Sequence, residues 1–262
     1  MSAGDESLAV PMRHDRPRVL SYLGRWGRAR RWLPDDARVV LDVGCAFGYG
    51  TAALAAGGRR VIGVERDPDH IREAARRFPW LQVLEGDAEA LPVADRSVDA
   101  VVMLDVLEHV PDPHAALVEA HRVLRPGGMI VLSVPHCGLL ARIDALNVYP
   151  ALRRRFRSWQ PLEPADETGP AGHHHFETEE IRNLLGSGFV VSRTARTGIG
   201  LTELVHLALL VAFKGLLRSR SAYRALLPLH LLVYLIDDLI PAGRYGYHLT
   251  VEAVAAEPAV RS

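Results

Sequence analysis

Val39-Val40-Leu41-Asp42-Val43-Gly44-Cys45-Ala46-Phe47-Gly48-Tyr49-Gly50-Thr51 is the segment from which the architecture can be read. An apolar run of β-type residues reaches an acidic residue and then breaks into a glycine-rich turn. The segment that follows, Thr51 to Gly57, is rich in alanine and leucine and reads as a helix. A strand, a glycine turn and a helix in that order bring bare backbone and a helix N-terminus close to whatever sits in front of them. Glycine suits such a turn because the backbone needs unusual dihedrals and has no room for a side chain.

The glycines fall at 44, 48 and 50, with Ala46 at the middle position, so the stretch departs from the G-x-G-x-x-G pattern of dinucleotide sites. Asp42 before the turn would repel a pyrophosphate and favour a cationic ligand. A second acidic residue, Glu65, closes the next apolar run, Val61-Ile62-Gly63-Val64. It lies about 20 residues beyond the turn, where a Rossmann-type unit places the carboxylate that holds ribose hydroxyls.

Strands are expected over 38–43, 60–65, 81–84, 98–104 and 129–134, with helical segments between them. Regular alternation of this kind implies a doubly wound, mostly parallel sheet with helices on both faces. Ligands of such sheets bind outside the carboxyl ends of the strands. Asp42, Glu65, Asp87 and Asp105 all fall at those ends.

In these residues the chain resembles the class I S-adenosylmethionine (SAM)-dependent methyltransferases, small-molecule type, similar to the quinone-pathway group. The resemblance runs in order to about residue 135. Glu85-Gly86-Asp87-Ala88-Glu89-Ala90-Leu91-Pro92 resembles the adenine-contacting turn, and Ser97 to Asp105 the fourth strand. Val106-Leu107-Glu108-His109-Val110-Pro111 resembles the family's LEHV helix start, and Leu124 to Pro135 the turn and fifth strand. The resemblance implies a Rossmann-like seven-stranded fold, SAM as cofactor, and residue roles. Gly44, Cys45 and Gly48 would line the methionine part, and Asp42 would accept hydrogen bonds near its ammonium. Glu65 would hold the ribose and Asp87 with Ala88 the adenine. Arg66, Leu104 and Asp105 complete the implied cofactor set. His109 and His136 are the candidate general bases, since a histidine titrates near neutrality.

A metal-dependent alternative would use Asp105, Glu108, His109 and one histidine of His173-His174-His175, a set similar to that of magnesium-dependent 2′-O-methyltransferases. Without it, no metal is expected. Further alternatives are a nicotinamide-dependent oxidoreductase, resting on the strand-turn-helix unit and Glu65 alone, and a non-catalytic protein that keeps the fold. A nucleic-acid substrate is disfavoured: the formal net charge is zero, whereas nucleic-acid binders usually carry a basic excess. No Asn/Asp-Pro-Pro-Tyr motif is present, and Lys214 is the sole lysine.

At 262 residues with 48% hydrophobic content, the chain can bury a substantial core in one domain, 18–262. Residues 1–17 are polar and charged without an apolar leader core, and read as a flexible tail. Two lone cysteines, Cys45 and Cys137, make no disulfide framework, so a reducing cytoplasm is expected. Leu20, Leu23, Trp26 and Leu33 among arginines suggest an amphipathic helix over 18–33.

Two regions break the alternation. Residues 138–175 carry Arg153, Arg154, Arg155 and Arg157, a Pro/Glu/Asp-rich run and the three histidines, and read as a lid. A helix is expected over 178–185 with Thr178 as N-cap, then strands over 189–194 and 247–253. Between those strands, 201–243 is a helical insertion with apolar runs at 201–211 and 225–236. Neither run reaches the ~18–20 apolar residues of a membrane span. The pair reads as an interfacial hairpin touching the inner face of a membrane through 201–236, or as a core cap or homodimer contact. A hydrophobic small-molecule acceptor is expected.

Overall fold

The computed structural model describes residues 24–56, 58–156, 159 and 174–256. Its seven strands are β1 (Val39–Val43), β2 (Arg60–Glu65), β3 (Gln82–Glu85), β4 (Val98–Leu104), β5 (Leu124–Pro135), β6 (Phe189–Thr197) and β7 (His248–Ala255). They form one sheet in the order β3-β2-β1-β4-β5-β7-β6. β1 to β5 run parallel, and β7 lies antiparallel between β5 and β6. The mostly parallel, doubly wound expectation therefore holds, with one antiparallel hairpin at the β6 edge.

The central strands are apolar on both faces because helices cover both. Leu41, Val43, Val101, Met103, Ile130 and Leu132 point to one face and meet Ala116, Leu117, Ile181 and Leu185. Those four come from α4 (Pro113–Val123) and α6 (Thr178–Leu185). The alternate residues Val40, Val102 and Val131 meet Ala29 of α1 (Gly24–Trp32) and Leu54 of α2 (Tyr49–Ala55) on the other face. Gly50 lies flat against the Trp26 indole, where any Cβ would enter the ring.

Both helices that follow the cleft-forming loops have sharp starts. Asp67 caps α3 (Pro68–Arg77) by accepting from Asp69 N at 2.7 Å, and Asp112 caps α4 by accepting from His114 N at 3.0 Å. Each is followed by proline at the first helical position, where no amide hydrogen is needed. At α6 the cap is Glu177, not the expected Thr178. Glu177 N donates to Glu180 Oε2, closing the first turn with the chain's own carboxylate. The Thr178 hydroxyl serves Arg196 and His136 instead.

The expected 18–33 helix is described over 24–32 as α1; Leu20 and Leu23 lie outside the described residues, as do the 1–17 tail, Arg157, His173 and the Pro/Glu/Asp-rich run. Part of the 138–175 segment is helical: α5 spans Ala145–Arg155 and ends on Arg153, Arg154 and Arg155. The insertion forms α7 (Leu201–Leu209), a π-helical continuation (Leu210–Leu216) and α8 (Arg220–Leu239). Tyr149, Leu209, Leu210 and Tyr223 form a separate apolar cluster there, with Trp159 packed against it.

The C-terminal turn of α8 anchors this cap. Asp237 is 1% exposed and accepts from Ile199 N (2.9 Å), Gly200 N (3.2 Å) and both Thr202 N (3.3 Å) and its hydroxyl (3.2 Å). It thereby holds the start of α7 against the end of α8. Asp237→Ala is expected to cost about 2–3 kcal/mol in urea unfolding, because several buried donors lose their acceptor at once. A cost under about 0.5 kcal/mol would show that water replaces the carboxylate.

Candidate active site

The turn after β1 is stitched to β2 from below. Gly44 N and Cys45 N both donate to Val64 O, at 2.8 and 3.1 Å. Gly44, Ala46 and Gly48 all have positive φ, of 72°, 44° and 77°. Glycine takes this conformation freely, and alanine does so at some cost. A Cβ on Gly44 would also meet Val106 Cγ2 at 2.7 Å, so residue 44 must be bare for the β1 and β4 ends to come together.

Glu65 organises the whole rim. Its Oε2 accepts from Ala46 N at 2.8 Å, and its Oε1 from Arg66 N and Asp67 N at 3.0 Å each. The carboxylate thus fixes the glycine turn to the start of α3 while its edge faces an open cleft of about 370 Å³. Gly44, Glu65, Arg66, Asp87 and Ala88 line this cleft, and Asp105 and His109 line it from the β4 side. Val43, Val106 and Val110 supply apolar wall.

Asp87 Oδ1 accepts from Glu89 N at 3.0 Å, which holds the turn after β3 open toward the cleft. Asp105 adopts φ 56°, a left-handed conformation at the very end of β4. Its carboxylate takes a hydrogen bond from the Ser133 hydroxyl at 3.0 Å and an ion pair from Arg25 of α1. Arg25 also lies over the Tyr234 ring of α8, 5.1 Å from its centroid, so α1 links the cleft to the helical cap.

Four of the expected cofactor residues stand behind the wall. Asp42 is fully buried beneath the turn and accepts from the Thr51 hydroxyl at 2.6 Å. Its Oδ1 has no hydrogen-bond partner among the described residues. Burial pushes its carboxyl up to about 7; the Thr51 bond lowers it in part, and the Glu65 charge adds to the rise. Cys45 fills the space over Gly63, and burial pushes its thiol well up, so it is packing and not a reactive thiol. Gly48 packs on Ala74, Phe78 and Leu81, and Leu104 is buried in the sheet core.

The two candidate bases part company. His109 closes the short 3-10 turn Leu107–His109 and faces the cleft. His136 does not line it: its Nδ1 bonds Gly246 O at 2.9 Å and its Nε2 bonds the Thr178 hydroxyl at 3.3 Å. Burial holds its pKa below the usual histidine range. Nor do the two described histidines of the metal alternative join Asp105: His174 bonds Glu180 and His175 bonds Asp144, at 3.0 and 3.2 Å. Among the described residues no group of three or more His, Cys, Asp or Glu side chains is placed to hold an ion.

Sequence reading missed several neighbours of the site. His70 of α3 lines the cleft, with its ring 4.4 Å from that of Phe47 and its Nδ1 3.8 Å from Glu65 Oε1. Asp144, His175 and Tyr247 form a compact polar cluster at the start of β7. Tyr247 Oη donates to Asp144 Oδ2 at 3.1 Å, and His175 Nε2 lies 3.3 Å from that hydroxyl. None of these has a local motif.

The described residues fit SAM by their chemistry. Carboxylates at three strand ends can accept from ribose hydroxyls and an adenine amino group, and a bare Gly44 admits a ligand against backbone. The sheet order also departs from the 3-2-1-4-5-6 of dinucleotide folds, because β7 intervenes between β5 and β6.

Residues 41–132 match the family model described as "Methyltransferase domain". Over 166 residues the chain is 40% identical to a probable S-adenosylmethionine-dependent methyltransferase of Mycolicibacterium smegmatis, covering 63% of this chain and 62% of that one. A probable S-adenosylmethionine-dependent methyltransferase of Mycobacterium tuberculosis is 38% identical over 100 residues, 38% of this chain and 36% of its own. The chain therefore spans under two thirds of the length of these relatives. Among solved structures, a SAM-dependent methyltransferase of Thermotoga maritima, described as a possible histamine N-methyltransferase, superposes with TM-score 0.58 at 21% identity, over 89% of each chain. One from Methanosarcina mazei gives 0.57 at 21% identity, covering 88% of this chain and 98% of that one. At such identities the structural matches speak for the fold alone. The fold and the sequence matches agree: residues 41–132 match the methyltransferase domain family, and the fold is similar to that of solved SAM-dependent methyltransferases.

Proposed function

We propose that the protein transfers the methyl group of SAM to a hydrophobic or lipid-linked small molecule, at oxygen or carbon. The observation that carries the cofactor half is Glu65, whose carboxylate is held by three backbone amides with its edge toward the cleft. When bound, SAM supplies an electrophilic methyl on a sulfonium centre. Glu65 accepts from the ribose hydroxyls, Asp87 from the adenine amino group, and the Gly44 backbone lies against the methionine part. Asp42 holds its negative charge below the turn, where an ammonium lowers the cost of its burial. Val43, Val106 and Val110 keep water from the reacting atoms.

The hydrophobic acceptor is supported by where the helical cap arises. β6 ends and β7 begins opposite the carboxyl end of β5, as the pairing of Pro135 with His248 and of His248 with Thr197 requires. The insertion 201–243 therefore emerges at the ligand-binding end of the sheet. Its residues are mostly Leu, Val, Ala and Tyr.

The test is transfer of labelled methyl from SAM into an extract of the source cells, split into organic and aqueous phases. Label in the organic phase is the expected result. Label in the aqueous phase alone would redirect the acceptor to soluble metabolites, and absence of SAM binding by calorimetry would remove the reading altogether.

His109 is the proposed proton acceptor for the reacting group. His109→Ala should lower turnover by about 100-fold while leaving the SAM dissociation constant within about two-fold. Unchanged turnover would mean that the acceptor needs no base, as for a phenol or an acidic carbon.

A further inference from the structure

Helix α8 is turned inside out. A surface helix ordinarily sends its apolar stripe inward and its charges to solvent. In α8 the acidic residues face inward: Asp237 and Asp238 are 1% and 0% exposed, bound to the start of α7 and to Thr197. Its exposed described residues are Ser221, Ala225, Leu229, Leu232, Ile236 and Leu239, and none is charged. From Ala225 onward they recur every three or four residues, so they form one continuous outer stripe. The four large ones are about half exposed, and Leu216 and Leu217 at the tip before α8 are 68% and 66% exposed.

The charge pattern says what this face meets. Residues 204–236 contain Lys214, Arg218, Arg220 and Arg224 and no acidic residue, in a chain whose formal net charge is zero. Lys214 is buried, but Arg218 is exposed beside the leucine tip. An apolar stripe in a segment that carries basic residues and no acidic ones matches the boundary of a bilayer with anionic headgroups. A second copy would bring a second segment of the same positive charge to this face, which disfavours a symmetric dimer there. No described helix is long and apolar enough to cross a membrane, so the contact lies in the plane of the surface.

We infer that the outer face of α8, with the Leu216–Arg218 tip, docks the protein on an anionic lipid surface. The surface stands on the helical cap and not on the methyl-transfer reading. It is nonetheless tied to the cleft: Arg25 pairs with Asp105 at one end and stacks on Tyr234 of α8 at the other.

Co-sedimentation of the full chain with phosphatidylcholine vesicles, with and without phosphatidylglycerol, tests the docking. Binding to the anionic vesicles about ten-fold above the neutral ones is expected, falling at high ionic strength. The combined change Leu229→Ser, Leu232→Ser and Ile236→Ser should abolish it with the thermal melt retained. Arg218→Glu, at an exposed position, should weaken it several-fold even if the triple variant folds poorly. Wild-type protein left in the supernatant, or binding indifferent to Arg218→Glu and to salt, would overturn the proposal. So would a dimer in light scattering that the serine changes dissociate, since a second copy would then cover the face. Vesicle binding by a protein that takes up no SAM would support the docking and remove only the cofactor reading.

Discussion

Glu65→Ala is expected to weaken SAM binding by about two to three orders of magnitude. Two losses coincide at this position. The ligand loses a charged acceptor for its ribose, worth about 1.5–3 kcal/mol because three of the carboxylate's roughly four acceptor sites already hold amides, and about 1.4 kcal/mol is a factor of ten. The amides of Ala46, Arg66 and Asp67 also lose their common acceptor, so the glycine turn is no longer tied to α3. Glu65→Gln separates the two effects. Its amide oxygen can serve one set of donors but its NH2 group cannot accept, so an intermediate loss of about ten-fold is expected. Calorimetric titration with SAM, beside a thermal melt of each variant, checks this. SAM affinity unchanged in Glu65→Ala would mean that the ligand does not occupy the cleft in front of β2.

The second large effect concerns Asp42 and pH. In the unfolded chain its carboxyl titrates near the ordinary 3.8, while burial holds it up to about 7 in the fold. Between those values the folded protein binds the extra proton. Stability therefore falls as pH rises from about 4 to about 7, by roughly 4 kcal/mol if the whole shift is expressed, and falls no further above that. Asp42→Asn should remove this slope, because an amide oxygen can still accept from Thr51 and carries no buried charge. It should leave the protein more stable than wild type by about 2 kcal/mol or more near pH 8. A cationic ligand reverses the preference, since it favours the ionised form. SAM affinity of the wild type should thus rise as pH approaches about 7, and Asp42→Asn should bind SAM more weakly with a flat profile. Urea unfolding of both proteins across this range, with and without SAM, decides it. Parallel stability curves would mean that Asp42 ionises normally in the ligand-free protein.

The two effects pull in opposite directions on stability, and that separates them from general damage. Glu65 holds backbone donors and its loss loosens the turn. Asp42 is buried with one oxygen that has no partner among the described residues, and its neutralisation relieves the fold. A protein that keeps such a carboxylate under the turn accepts instability in exchange for a site ready for a cation.

Much of the cleft was legible in the sequence because its parts are local. Each of Glu65, Asp87 and Asp105 ends an apolar run and opens a turn, and hydrophobic pattern with turn chemistry locates such places without knowledge of any partner. The alternation of strands and helices gave the sheet for the same reason. The α6 cap falls at Glu177, one residue before the expected Thr178, whose hydroxyl is taken by Arg196 and His136 from elsewhere in the chain. His136 looked equivalent to His109 in sequence, since both follow a strand. Only the approach of Gly246 and Thr178 commits its two nitrogens.

The order of elements, the glycine turn and the acidic strand ends are all readable along the chain, because they depend on periodicity and backbone preference over a few neighbouring residues. Folding in three dimensions is what brings Arg25 to Asp105, His70 to Glu65, and Asp144, His175 and Tyr247 together, and what turns the acids of α8 inward and its leucines out. Those pairings join residues far apart along the chain. They follow from how whole helices dock on the sheet, and no local propensity encodes which face of a helix, polar or apolar, the docking will leave outside.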